Sequence, residues 1–287
     1  MADRYRLGNV EVHRIGFGAM QLPGPGVLGP PRDHDEAVAV LRRAVELGVE
    51  HIDTAQFYGP DVANDLIREA LHPYPSNLAL VSKVGGRRDA QGAWLPASAP
   101  AELRSGIEDN LRSLGVEHLA AVNLRLFDSP GPDALFDDQL ATMVAARDEG
   151  LIGGIGLSSI EVSHLVHAAA HTDIACVQNP YNLVDRSSQP VLDECVARGI
   201  AFTPFFPLGS AFAQDNPILG NPVIRRAAAE SGRTPAQVAL AWTLGVAPNV
   251  LLIPGTSSRT HLEENLAVAD VVLDDATRVE LDEAAAT

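Results

Sequence analysis

The sequence predicts an α/β protein of the (β/α)8 TIM-barrel class, one domain over residues 1–287 with an N-terminal β-hairpin and extra C-terminal helices. Short apolar runs of strand character alternate with segments of helical period along the whole chain. The alternation repeats eight times, over a length close to the ~250 residues typical of such barrels. A doubly wound sheet usually opens with a Gly-rich turn after its first strand. Here the first strand runs instead into a proline-rich loop with no G-x-G-x-x-G.

The elements follow in order. From Tyr5 to Gly18 a short β-branched pattern with glycines reads as a small hairpin and then the first strand, ending Arg14-Ile-Gly-Phe-Gly-Ala-Met20. Pro23–Pro31 is a loop. Asp33 or Asp35 caps a helix in which Val38, Leu41 and Val45 share a face, and Gly48 stops it. Strand 50–54 precedes helix 61–71, which Pro73 ends. Strand 78–84 leads through a loop to a helix near 100–114 with Leu103, Ile107, Leu111 and Leu114 on one face and Gly115 at its end. Strand 119–126 precedes helix 134–149, strand 151–157 helix 161–170, and strand 174–178 helix 188–198. After strand 200–205 comes a longer loop, then helix 222–231 with Asn221 as N-cap and Pro222 at its first position. Thr234-Pro-Ala-Gln237 is a capping box opening a helix to about Leu244. Strand 250–254, helix 260–268 and an amphipathic segment 275–285 over an outer surface complete the chain.

Composition narrows the function classes. A net charge of -16 argues against nucleic acid, since a phosphate-binding surface needs clustered Lys and Arg, and a pair such as Arg87-Arg88 is too little. Cys176 and Cys195 are the only cysteines, both in apolar patterns, and read as core thiols of a reducing compartment. No apolar run reaches the ~18 residues of a membrane span and no signal-peptide core precedes the fold. The expectation is a cytoplasmic protein. No long exposed apolar helix face stands out, so the sequence leaves the oligomeric state open, with a monomer as the favoured expectation.

In a barrel of this class the active site lies at the C-terminal strand ends. In order these carry Asp53 and Tyr58, Lys83, Arg125, Ser158-Ser159, Gln178-Asn179, Phe205-Phe206, and Gly255-Thr-Ser-Ser258. One polar strand end means little; polar or aromatic groups at seven consecutive ends make a site. Lys83 sits among Leu78, Leu80, Val81 and Val84, so its stem lies in an apolar wall. A buried ammonium is costly unless paired, and Asp53 is the natural partner one strand away. Such a pair can simply tie two strands together, but that leaves Tyr58 unexplained. A phenol is a poor acid near neutrality, and an ammonium within hydrogen-bond reach makes it a better one. Tyr58, Lys83 and Asp53 therefore form an acid relay: donor, tuner and anchor.

D-T-A-x-x-Y-G, the strand ending in S-K, C-V-Q-N-x-Y-N, P-F-F-P-L-G and I-P-G-T-S-S-x-x-H-L-x-E-N together resemble the aldo-keto reductase superfamily over essentially the whole chain. That resemblance implies a nicotinamide cofactor, NADPH before NADH, and a catalytic tetrad of Asp, Tyr, Lys and His. The first three match Asp53, Tyr58 and Lys83. Arg125, in Val122-Asn-Leu-Arg125, stands where the family usually has His. An arginine does not titrate near neutrality. It either grips an oxygen of the substrate or pairs with Asp53 or a loop carboxylate. V-N-L-R, F-Y-G-P-x-V-x-N-x-x-I-R-E-A-L, W-L-P-A and Pro204-Phe-Phe-Pro-Leu-Gly209 are most similar to the bacterial pyridoxal reductase branch, whose members reduce pyridoxal to pyridoxine with NADPH.

The same resemblance implies that Ser158 and Gln178 hold the nicotinamide carboxamide, with Ser159 where the family has Asn. Phe205 would stack on the nicotinamide, beside Pro207 and Leu208; either of Phe205 and Phe206 alone would more often be core packing, and the P-F-F-P-L-G context favours the cofactor role. Thr256, Ser257, Ser258 and Arg259 would meet the adenosine phosphate and Glu264 and Asn265 the adenine. A lysine found in many relatives is Gly255 here and an arginine is His261, with Arg259 able to compensate. Met20, Phe57, Trp94 and Phe127 are the expected substrate pocket, Trp94 being either a wall or a cap over the rim. The loop Ser210–Gly220 is expected to fold over the cofactor. His167 and His171, four apart on a helix, read as a packed or solvated pair, and no metal is expected. The alternative functions are a broad-specificity carbonyl or aldose-type reductase and a non-enzymatic nicotinamide-binding regulatory subunit.

Overall fold

The computed structural model describes residues 3–127, 129–209 and 216–284. The expected positions 210–215 of the covering loop, and residue 285, lie outside the described residues. An antiparallel hairpin, β1 (Arg4–Leu7) and β2 (Val10–His13), comes first. It is followed by β3 (Phe17–Gly18), β4 (His51–Asp53), β5 (Ala79–Arg88), β6 (Trp94–Ala97), β7 (Ala121–Arg125), β8 (Ile155–Ser158), β9 (Cys176–Gln178) and β10 (Ala201–Phe202). Apart from β6 these later strands lie side by side in the order β3-β4-β5-β7-β8-β9-β10, all parallel.

The expected eighth strand is present as a hydrogen-bonded segment rather than a regular ladder. Leu251 N donates to Phe202 O at 2.8 Å on one side, and Leu252 N to Arg14 O at 2.8 Å on the other. That segment closes the barrel. Pro254 follows at once, and a residue without an N–H cannot extend the pairing.

The helices lie outside: α1 (His34–Glu46), α2 (Val62–Leu71), α3 (Pro100–Leu114), α4 (Ala134–Asp148), α5 (Val162–Ala169), α6 (Gln189–Arg198), α7 (Pro217–Gly220), α8 (Pro222–Ser231), α9 (Pro235–Gly245), α10 (Arg259–Leu266) and α11 (Asp275–Ala284). Their starts are chemically explicit. Asp33 accepts from Glu36 N, Asn221 from Val223 N, and Thr234 and Gln237 cap each other reciprocally. The last helix is held by Asp282, which accepts from the Trp242 indole at 3.0 Å. Among the described residues no helix is long and apolar enough to cross a membrane.

Strand alternation sorts the side chains. Ile52, Leu80, Val122, Leu124, Leu157, Val177 and Phe202 face the helices in the main core. Small inward residues, Ala79, Val81, Ala121, Cys176 and Ala201, fill the barrel together with Leu251, and Leu7 and Val12 of the hairpin close its N-terminal end. Both cysteines are buried and free, and burial pushes the Cys176 thiol up to about 12. The next inward layer towards the C-terminal end is polar: Asp53, Lys83, Arg125, Ser158 and Gln178.

The main departure from expectation follows Lys83. The strand does not end at residue 84 but continues to Arg88 and returns as β6, pairing Gly86 with Pro96 and Arg88 with Trp94. Gly85 allows this. Its φ is +99°, and a Cβ there would lie 2.3 Å from the Arg125 carbonyl oxygen, so only glycine lets β5 pass so close to the end of β7.

Candidate active site

Lys83 is the only lysine in the chain. Its Nζ donates to Asp53 Oδ1, and to Thr54 O at 3.1 Å. Both side chains are buried, so the pair is largely shielded from bulk water. Burial disfavours the ammonium, but the Asp53 carboxylate and the Tyr58 phenol outweigh it, and Lys83 holds its proton above the ordinary lysine value. Nζ stands 5.1 Å from the Tyr58 ring centre. The three groups of the expected relay are thus in one place.

Asp53 has a second partner. Gln178 Nε2 donates to Asp53 Oδ2 at 2.6 Å, while Gln178 Oε1 is buried with no hydrogen-bond partner. Ser158, buried beside it, is the register partner of Gln178 across β8 and β9. A wall offering an orphan amide oxygen and a hydroxyl suits a ligand carboxamide. On that chemistry the residues present fit a nicotinamide.

A buried polar network on the outer side of the sheet grips the backbone around Lys83. Thr54 Oγ1 donates to Asn64 Oδ1 (2.8 Å), Asn64 Nδ2 to Asn110 Oδ1 (3.0 Å), and Asn110 Nδ2 to Lys83 O (3.4 Å). Sequence reasoning missed this shell, because its members lie on three separate elements.

Arg125 forms no ion pair among the described residues; Asp128, a candidate loop carboxylate, lies outside them. Among the described residues it has neither a carboxylate partner nor a hydrogen bond, and its Nε is buried and unsatisfied. Its guanidinium lies 5.1 Å from the centre of the Phe127 ring and 5.8 Å from that of Trp94. Burial lowers its pKa, with Tyr58 opposing. The alternative of pairing with Asp53 is therefore excluded by the geometry; Asp53 is already shared by Lys83 and Gln178.

A cavity of about 560 Å³ opens over these groups. Asp53, Tyr58, Lys83, Arg125, Ser158 and Gln178 line it, as do Phe205, Pro207 and Leu208. Met20 and Trp94 line it too. Phe57 and Phe127 do not. Phe57 is buried edge-on behind Tyr58 and Trp94, at 5.6 and 5.5 Å between ring centres, and Phe127 rests beside Gly86. These two back the wall instead of forming it.

Sequence reasoning missed Gln21 in the lining, whereas Asn216 and Leu219 line it from within the loop expected to fold over the cofactor. Asn216 caps α7 through Ile218 N at 3.1 Å and donates to Leu208 O at 2.7 Å. The Asn-Pro pair that marked Asn221 was available at Asn216-Pro217 as well. Asn179, read as a strand-end polar group, instead clamps the turn after Ser158-Ser159, accepting from Ile160 N at 3.0 Å and donating to Ile160 O at 2.8 Å.

The expected adenosine-end residues lie outside this cavity. Ser257 lines an adjoining cavity of about 460 Å³ that shares Met20 and Gln21 with the first. Thr256 Oγ1 accepts from Ser258 N at 3.1 Å, and Ser258 caps α10. Arg259 is engaged: its guanidinium pairs with Glu36 of α1 at 3.0 Å, and the same carboxylate accepts from Arg259 N. On α10, Asn265 is buried and Glu264 partly so. His167 bonds Asp137 at 2.6 Å and its ring packs against His171.

A sequence model of the Aldo/keto reductase family matches residues 14–286. The chain is 45% identical over 284 residues to pyridoxine 4-dehydrogenase of Escherichia coli K12, covering 98% of each protein. It is 38% identical over 283 residues to an uncharacterized oxidoreductase of Schizosaccharomyces pombe, covering 98% of this chain and 90% of that one. Among solved structures, a thermostable aldo-keto reductase in complex with the inhibitor epalrestat superposes with a TM-score of 0.83 at 26% identity, over 98% and 99% of the two chains. An aldo/keto reductase of Klebsiella pneumoniae in complex with NADP and acetate gives 0.81 at 25% identity, over 99% and 95%.

Proposed function

The chain belongs to the aldo/keto reductase family, and from that premise we propose that it reduces the aldehyde of pyridoxal to the alcohol with NADPH, with Tyr58 as proton donor. It is an NAD(P)H-dependent oxidoreductase acting on a small-molecule carbonyl. The likeness to a dehydrogenase over 98% of both chains supports an enzyme over a non-enzymatic regulatory subunit.

Reduced nicotinamide, when bound, supplies the hydride. The chain's residues do the rest. Tyr58 passes its hydroxyl proton to the carbonyl oxygen as that oxygen gains charge. Lys83, kept charged by Asp53, stabilises the phenolate left behind. Gln178 and Ser158 orient the carboxamide, and Phe205 packs against the ring. Glu264 and Asn265 are assigned to the adenine, and Thr256 to Arg259 to the adenosine phosphate. Trp94 and Met20 border the substrate.

The observation that carries the substrate reading is Arg125, a cavity-lining guanidinium with no protein partner among the described residues. A buried donor left unmade is costly, so the site is completed by a ligand oxygen. The ring hydroxyl next to the aldehyde of pyridoxal is such an oxygen. The relationship to a pyridoxine dehydrogenase, whose reaction runs the same interconversion in the other direction, supports this choice. The test is NADPH consumption across pyridoxal, sugars, ketosteroids and aryl aldehydes. Pyridoxal should be preferred; good turnover of simple aryl aldehydes with none of pyridoxal overturns the substrate and leaves a broad carbonyl reductase.

A further inference from the structure

The β5–β6 hairpin brings together two features that the relay does not use. Arg88 stacks on Trp94, with its guanidinium carbon 3.5 Å from the ring centre. Trp94 lines the cavity and Arg88 does not, so the cation covers the side of the indole turned away from it. The same guanidinium donates to Gly26 O and Val27 O, both at 2.9 Å, and to Gly92 O in its own hairpin. In a chain with 37 acidic residues against 21 basic ones, this arginine has no carboxylate partner among the described residues. Its two terminal nitrogens are committed to the carbonyls of two separate loops, while Nε is buried without a partner.

One of those loops is strained. Val27 is buried with φ at +59°, a left-handed conformation that a β-branched side chain strongly disfavours. Such a residue persists only where its surroundings over-determine it, and Arg88 holds the carbonyl oxygens of both Gly26 and Val27. On the hairpin side, Asp89 accepts from Gln91 N and Ala93 N and fixes the turn that returns the chain to Trp94. Phe57 and Tyr58 meet the indole edge-on. The indole is therefore immobilised from behind by Arg88 and from the side by the ring of the proton donor.

We propose that Arg88 is a specificity-positioning residue: it clips the proline-rich loop to the β5–β6 hairpin and holds Trp94 as a rigid wall that selects flat aromatic aldehydes over small aliphatic ones. The proposal rests on the reading of this cavity as the carbonyl-reducing site. A wall fixed before binding spares the substrate the ordering of a mobile indole, which lowers KM for ligands that stack on it and does nothing for those that do not.

The test compares Arg88→Met, Arg88→Lys and Trp94→Leu in the cofactor-loaded enzyme, using pyridoxal and benzaldehyde against propionaldehyde. Arg88→Met should raise KM for both aromatic aldehydes by up to about tenfold, the scale of ordering one mobile side chain on binding. KM for propionaldehyde, and the Kd of NADPH followed by fluorescence, should not move. Arg88→Lys should resemble Arg88→Met, because a lysine ammonium lacks the planar fork. Arg88→Met should add nothing to Trp94→Leu, as expected if both act through one wall. In a Trp242→Phe background the single remaining indole should become more accessible to acrylamide quenching when Arg88 is replaced. Equal losses across all three aldehydes, additive effects with Trp94→Leu, or unchanged quenching each overturn the proposal. If the wild-type protein reduces no aldehyde, the reading of the site falls while the quenching comparison still decides the clip. Should Arg88→Met fail to fold, Arg88→Lys decides it by the same measurements.

Discussion

Gln178 donates through Nε2 to Asp53 Oδ2 across 2.6 Å, and because a carboxylate only accepts, this contact dictates which end of the amide is left over for a ligand. The leftover end is an acceptor, and the group it faces must donate. Gln178→Leu should therefore weaken NADPH binding about tenfold, in line with the loss of a hydrogen bond in a dry site. Fluorescence titration of the purified protein measures it. Gln178→Glu should do worse, since it sets a second carboxylate against Asp53.

Tyr58→Phe removes the proposed acid and leaves the cavity wall in place. Turnover should fall by roughly 10²–10⁴-fold, the range for general acid catalysis, with the Kd for NADPH unchanged. Retention of most activity would move the proton donor elsewhere.

Arg125→Met keeps the stem and removes the donors. For pyridoxal, kcat/KM should fall about 10- to 100-fold, the usual worth of a hydrogen bond to a charged group. For benzaldehyde, which has no neighbouring hydroxyl, the loss should be much smaller. Steady-state kinetics with the two substrates decides it. Equal losses would mean that Arg125 acts on the carbonyl oxygen itself.

Arg259 is held by Glu36, so the cation assigned to the cofactor phosphate has a resident competitor. Glu36→Gln should free it and raise the preference for NADPH over NADH several-fold, by about the worth of one partly exposed charged contact. The ratio of the two cofactors' Kd values is the readout, and a strong preference of the parent protein for NADH would overturn the choice of NADPH.

His51 is buried beside Gly16 with both ring nitrogens unpartnered, and burial lowers its pKa to about 4. The unfolded chain takes up this proton near the ordinary value of about 6.5, the folded one only near 4. Its neutral form thus favours the fold fully above pH ~6.5, and that contribution is lost as pH falls from there towards 4, by up to roughly 3 kcal/mol. Urea midpoints at pH 7.5 and pH 5 should differ less in His51→Leu than in the parent.

Much of this was legible in residue order, and the reason is periodicity. Inward and outward positions alternate along a strand, so Asp53, Lys83, Arg125, Ser158 and Gln178 fall on one side of the sheet once the strands are placed. Pairings between distant positions had no such signature. The Gln178–Asp53 contact spans 125 residues and the Arg259–Glu36 contact 223, and nothing local announces either. Proline worked in both directions. Pro222 marked a helix start, while Pro96 lies in a stretch expected as loop and yet pairs with Gly86 as a strand at the sheet's fringe. Phe57 was misplaced for another reason: an aromatic ring next to a site residue faces the opposite way as readily as the same way, and only packing decides.

The solitary lysine has a consequence for how this protein meets its substrates. Aldehydes condense with free amines, and a surface studded with ammonium groups would capture them as imines. Here the one side-chain amine is sequestered in the barrel and tied to a carboxylate. All other basic side chains are guanidinium or imidazole, which do not form imines. Reagents that decorate lysines on other proteins will find almost nothing to react with on this one until it unfolds.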